Sequence, residues 1–233
     1  DYLKRPAEDI FWNIWGLYGF AEPPLEDSGS NSQGSAAKIR VFNPTVELDG
    51  WSSHYTTIYV DQRDMPFLVD SLRMALNRWG LNIYTLQSNP VWALRNDLGT
   101  IEGIHSDYVE NADREALMII EVDLLSEREI EELQRELTLV LDDVSTVVDS
   151  FDPMRMRLEL LIAELKTNAP KVEQLDESLA FLQWIYDGYF VFTGCAEFDL
   201  EVKDESVYLR EKAGRAYGLL KKYRGDLRKE SVE

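Results

Sequence analysis

The hydrophobic positions of the chain follow two periods. Leu68, Leu72, Ala75, Leu76 and Trp79 fall at i, i+4, i+7, i+8 and i+11, one stripe of an amphipathic helix. Asp64 stands where it can cap the first amides, and Pro66 suits a first turn whose amide is unpaired. Gly80 suits a left-handed exit. A second helix buries Ile130, Leu133, Leu137, Val140, Leu141, Val144 and Val148. Ser126 and Glu129 form a capping box before it, with Leu125 and Ile130 as the hydrophobic staple. Period two marks strands. "KIRVFNP" (38–44) stops at a proline, and "SHYTTIYVD" (53–61) sets Ile58 and Val60 against Tyr55, Thr57 and Tyr59. Asp49-Gly50 between them is a turn signal and predicts antiparallel pairing. "LNIYTLQS" is a strand that Pro90 ends or bulges, and "VWALRND" continues it. Residues 97–114 read as a polar loop, and "EALMIIEVDLL" (115–125) as another strand.

Strand, helix and strand in so short a space predict a right-handed parallel crossover. The order strand–strand–helix–strand–strand–helix predicts an α+β, ferredoxin-like (ACT-like) antiparallel sheet with two helices on one face. Extra helices and a C-terminal β-hairpin complete the fold class. The second helix runs into Asp152-Pro153, a further helix start, so no closing strand follows it. Strand 38–43 is therefore expected to take the vacant sheet edge beside 53–61, antiparallel.

The flanks divide the chain. "PAEDIFWNIWGLYGFA" (6–21) is a helix whose Phe11, Trp12, Trp15 and Tyr18 cover a wide face. That face lies either in the core of this chain or against another domain or subunit. "EDSGSNSQGSAA" (26–37) has linker composition and lacks phosphate-loop spacing. After residue 151, Met154, Leu158, Leu161, Ile162 and Leu165 mark a helix, followed by a loop over 167–174. "DESLAFLQWIYDG" is a further helix closed by Gly188. "YFVFTGCAEFDLEV" and "SVYLRE" are strands of a hairpin, and "AGRAYGLLKKYRG" is left unassigned. The expected domains are 1–37 (aromatic helix and linker), 38–150 (ACT-like) and 151–233 (helical connector and the start of a second β-containing domain).

The charge balance, 43 acids against 24 bases and a net charge of −19, repels phosphate backbones and anionic lipid. Nucleic acid and membrane are therefore not expected as partners. The apolar runs are too short to cross a bilayer and no secretory signal precedes them. With the single Cys195, this points to the cytoplasm. One cysteine supports neither an internal disulfide nor a thiolate metal site. Cys195 sits in an aromatic strand and reads as an inert thiol. His54 and His105 have no ligand spacing, and Glu131-Glu132 and Asp142-Asp143 read as solvated faces. No catalytic, cofactor-binding or metal residue is assigned. The one candidate binding site is "DQRDMPFL" (61–68), where a strand meets a helix and free amides can hold a small carboxylate. The simpler account of these residues is a helix capped by Asp64.

"RVFNPTVELDGW", "SHYTTIYV", "DMPFLVDSLRMALNRWGLNIYTLQSNPVWALRND" and "ALMIIEVDLL" resemble the amino-terminal region of the bacterial large NAD-specific glutamate dehydrogenases. "ESLAFLQWIYDGYFVFTGCAEFDL" is similar to a second block of that family. The resemblance implies a very long polypeptide that converts glutamate to 2-oxoglutarate and ammonia with NAD. Its catalytic and nucleotide-binding parts lie downstream, so no cofactor is expected in this segment. It further implies an ACT-like module, of a class that binds amino acids or pairs between subunits. The partners implied are the downstream domains, further copies in a homo-oligomer and an amino-acid effector at Asp64, Met65, Pro66 and Phe67. Phe11, Trp12, Trp15 and Tyr18 are the candidate interface. One departure stands out: many amino-acid-binding modules read "DRPGLL" at this junction, and Phe67 replaces the glycine. Two other readings stay open, a stand-alone amino-acid sensor and a purely structural interaction module.

Overall fold

The computed structural model describes residues 5–24, 37–168, 174–203 and 206–223. Nearly all of the linker expected over 26–37 lies outside them. Two compact units divide the chain at Ser145 and Thr146. The first contains α1 (Ala7–Ala21), β1 (Lys38–Phe42), α2 (Val46–Asp49), β2 (Thr56–Arg63), α3 (Leu68–Arg78), β3 (Ile83–Arg95), β4 (Ile101–His105), β5 (Ala112–Val122) and most of α4 (Glu127–Asp149).

The five strands form one antiparallel sheet in the order β1-β2-β5-β3-β4. β2 and β3 both run antiparallel to β5 between them, so the crossover through α3 is parallel but split. β1 lies on the free side of β2, with Lys38 opposite Asp61 and Phe42 opposite Thr57, as the missing closing strand required. Two local expectations change. The polar loop expected over 97–114 holds β4 and the first residues of β5. Its alternation is weak because β4 is an edge strand of which only Ile101 is buried. Pro90 neither ends nor bulges β3: its register continues opposite Ala116. β4 pairs with Trp92–Arg95, and among the described residues the outer side of β3 has no partner strand at Pro90.

One sheet face carries Ile58, Val60, Met118, Ile120 and Val122, all buried. Leu68, Leu72, Ala75 and Leu76 of α3 and Leu133, Leu137, Leu141 and Val144 of α4 supply the hydrocarbon of that layer. Gln62 belongs to the same face and donates to Ser145 of α4 at 2.7 Å. The Glu129 half of the capping box is formed: the Ser126 amide donates to Glu129 Oε2 at 2.8 Å, and the Ser126 hydroxyl donates to the same oxygen at 2.6 Å.

The other face is covered by α1. Leu17 and Ala21 pack with Phe42, Trp51, Tyr59, Ile101, Leu117 and Ile119. The result is a three-layer unit in which Thr56–Gln62 and Glu115–Val122 are buried on both sides. Gly50 takes a left-handed conformation (φ 79°), and a Cβ there would lie 2.9 Å from the Trp12 ring. The Asp49-Gly50 turn thus lets α1 approach.

The second unit contains α5 (Phe151–Thr167), α6 (Leu175–Trp184) continued by a π turn (Ile185–Tyr189), β6 (Gly194–Lys203), β7 (Ser206–Gly218) and α7 (Leu219–Lys222). Gly188 makes the left-handed exit at φ 92°. β6 and β7 form the expected hairpin. The unassigned segment after residue 212 continues β7 and then turns into α7.

The Tyr59 hydroxyl lies 2.8 Å from both the main-chain and side-chain oxygens of Asn13, inside the core. Tyr59→Phe leaves those acceptors dry and should cost about 1–3 kcal/mol in urea unfolding. Unchanged stability would show that α1 does not depend on this bond.

Candidate functional site

The residues singled out in the sequence lie at two places in the first unit: the turn from β2 into α3 and the outer face of α1. In the turn, Asp64 does not cap the helix. Its carboxylate pairs with Arg114 at 2.8 Å, and its amide donates to the Arg114 carbonyl. An ion pair between the ends of the neighbouring strands β2 and β5 takes the carboxylate instead. No side chain caps α3, whose N-cap residue is Phe67. Phe67 holds φ 73° and ψ −3°, the left-handed conformation that glycine adopts without strain. The backbone shape of a glycine turn is therefore kept while a benzyl group, 45% exposed, occupies the position. Met65 points its sulfur to within 3.9 Å of the Ser145 hydroxyl.

On α1 the aromatics split. Trp12 and Tyr18 are half-buried against the core, while Phe11 and Trp15 are each 56% exposed, with Ile14 at 54%. The Phe11 and Trp15 rings stack 6.2 Å apart, and Trp15 and Tyr18 stack 5.7 Å apart. Leu17 and Ala21 face the core, and the stacked ridge of Phe11 and Trp15 faces outward.

What fixes this ridge in place was not read from the sequence. Arg5, ahead of α1, grips Glu121 with two bonds of 2.5 and 2.7 Å. At the other end, Lys38 donates to the carbonyls of Ala21 (2.9 Å), Pro23 (2.5 Å) and Phe20 (3.2 Å) and pairs with Asp61 at 3.2 Å. Arg95 holds Glu115 through bonds of 2.7 and 2.8 Å and reaches the Gly99 carbonyl at 2.7 Å. Two cations thus meet the last carbonyls of α1, where the helix dipole is negative. The legible signal was Asp61, Glu115 and Glu121, three acids inside strand segments too apolar to face water. Burial pushes the Asp61 carboxyl up to about 6, and Glu115 adds to the effect. The same burial pulls Lys38 below the ordinary lysine value. His54 and His105 are exposed and separate. Among the described residues no cluster of His, Cys, Asp or Glu could hold a metal.

With this geometry in hand, the comparison with known proteins decides the family. The model described as "Glutamate dehydrogenase, ACT1 domain" matches residues 1–137. The chain belongs to this family. A protein named NAD-specific glutamate dehydrogenase from Halomonas elongata is 39% identical over 206 residues, 86% of this chain and 12% of the relative. One of the same name from Pseudomonas aeruginosa is 37% identical over 174 residues, 72% of this chain and 11% of the relative. The chain spans about an eighth of the length of these relatives. The ACT1 match takes in α1, the whole sheet, α3 and the first half of α4, so the aromatic ridge and its ionic anchors are parts of the ACT1 domain.

Asp61 yields a signed pH prediction. Its carboxyl in the fold holds a proton up to about 6, against an ordinary 3.8. Its stabilising contribution is complete below the ordinary value and lost as pH rises through 6. Asp61→Asn removes that dependence. Relative to the unmodified chain, the variant should gain about 2–3 kcal/mol between pH 4 and pH 7. Parallel urea titrations at the two pH values would show a constant difference if Asp61 ionised normally.

Proposed function

We propose that the chain is a regulatory and oligomerisation segment, amino-terminal in its polypeptide, of a large cytoplasmic NAD-dependent glutamate dehydrogenase. In this reading the whole enzyme converts glutamate to 2-oxoglutarate and ammonia, and this segment is non-catalytic. The observation that carries it is the match to proteins of that name over only about an eighth of their length. NAD belongs to another part of the polypeptide. The five-stranded sheet is antiparallel and has no parallel βαβ turn of the kind that seats a dinucleotide, so no described residue is assigned to NAD. No helix of the described residues is long and apolar enough to cross a membrane.

The task of the segment is contact. Phe11, Ile14 and Trp15 form an exposed apolar ridge on a helix whose opposite stripe already faces the core. Exposed aromatic patches of this kind mark protein interfaces, where aromatic anchors carry most of the binding energy. The ridge is read as a contact with other domains of the polypeptide and between copies. The sensor reading takes second place: Phe67 puts a ring at the position where ligand-binding turns have open space.

Purified residues 1–233, supplied with glutamate and NAD, should form no NADH. Measurable glutamate-dependent turnover would falsify the non-catalytic assignment. In analytical ultracentrifugation the chain should self-associate, and Trp15→Ala should weaken that association at least about tenfold, a loss of about 1.4 kcal/mol. A wild-type chain that stays monomeric at every concentration removes the contact between copies and leaves only contact with other domains.

A further inference from the structure

The second unit holds an opening that the ACT1 match does not reach. Met154, Leu158 and Leu161 of α5 line a groove of about 380 Å³ together with Phe190, Phe192 and Phe198. The charged side chains at its rim are paired with one another or with near neighbours. Arg157 donates to Glu197 at 2.8 Å, and Lys212 pairs with Asp199 at 3.0 Å. What the groove offers is therefore hydrocarbon. A stacked aromatic strip leads out of it: Trp184 lies 6.0 Å from Phe181 and 5.8 Å from Tyr189, ring to ring, and 6.4 Å from Phe190. These rings are exposed. β6 and β7 beside the groove form a sheet of two strands, and among the described residues neither strand has a further neighbour.

Each feature is costly if left bare. A two-stranded hairpin is marginal in water. An open strand edge is a template for another strand, and a contiguous apolar patch marks an interface. The contact between copies proposed above is assigned to the α1 ridge of the first unit, so a second copy is not the occupant assigned to this groove. The relatives suggest a better one. An alignment over 86% of this chain runs beyond the first unit into the second, and it accounts for only 12% of the Halomonas protein. The groove thus corresponds to a region of a far longer polypeptide, and a segment of that polypeptide meets it as an intramolecular partner.

We propose that the groove between α5 and the β6–β7 hairpin is the docking site for an extended apolar segment of the same polypeptide outside residues 1–233. That segment pairs with an open edge of the hairpin and sets its side chains among Leu158, Phe190 and Phe198. The proposal rests on the reading that this chain is part of a longer enzyme.

Cys195, the sole cysteine of the chain, lines the groove and serves as the reporter. A bulky maleimide is applied to residues 1–233 and to the longer natural polypeptide that contains them, and Cys195 is followed by peptide mass mapping. The isolated chain should label readily, and the longer polypeptide about 100-fold more slowly. Phe190→Asp in the longer polypeptide should restore labelling to within about tenfold of the isolated chain, since each tenfold corresponds to only 1.4 kcal/mol of docking. Equal rates in both forms overturn the proposal. So does protection in the isolated chain at every dilution, which means that the unit closes on itself. Protection that disappears on dilution assigns the groove to a second copy and overturns it equally. Glutamate-dependent NADH formation by the longer polypeptide is scored separately: its absence sinks the enzymatic reading and leaves the labelling result standing.

Discussion

The first unit depends on a sheet that must be covered twice. Tyr59, Leu117 and Ile119 on one face of β2 and β5 are as apolar as Ile58, Val60 and Ile120 on the other, and all are buried. Two helices, α3 and α4, cover one side. The other side would meet water unless α1 lay on it, and ion pairs at both ends set where α1 sits. Arg5 with Glu121 secures one end, and Lys38 and Arg95 with Asp61 and Glu115 secure the other. Buried ion pairs of this kind add little net stability, because desolvation offsets the attraction. Breaking one is expensive, since it strands the partner. Their contribution is to fix where the helix sits.

That placement links the fold to its proposed task. A helix fixed at both ends presents Phe11, Ile14 and Trp15 as a rigid ridge, so little ordering entropy remains to be lost when a partner binds. The β2–α3 turn contributes differently. Phe67 keeps the left-handed backbone that glycine adopts without strain, and its ring stands 45% exposed at the start of α3.

Much of this was legible in the residues. Helical periodicity placed α3 and α4, and the Ser126–Glu129 box located the start of α4. The absence of a closing strand after α4 implied that β1 fills the vacant edge, and it does. The errors lie where a distant residue overrides a local signal or where the local signal is weak. Asp64 is a good cap by position, but Arg114, fifty residues on, takes its carboxylate. β4 was hidden because an edge strand needs little apolar alternation. The ionic anchors joined residues up to 116 positions apart, beyond the reach of any local pattern. The doubly covered sheet had left a trace, since "EALMIIEV" is too continuously apolar for a strand with one wet face.

The acids beneath α1 also act on how the strands find one another. Sliding β2 or β5 by a single residue would exchange its two faces. Asp61 or Glu115 and Glu121 would then be driven into the hydrocarbon between the sheet and α4, with no cation in reach. The misaligned sheet is thus penalised by several unpaired charges at once, and α1 has no seat until the alignment is right. The buried carboxylates therefore work as a proofreading code for strand alignment, rejecting near-miss topologies that hydrophobicity alone would tolerate.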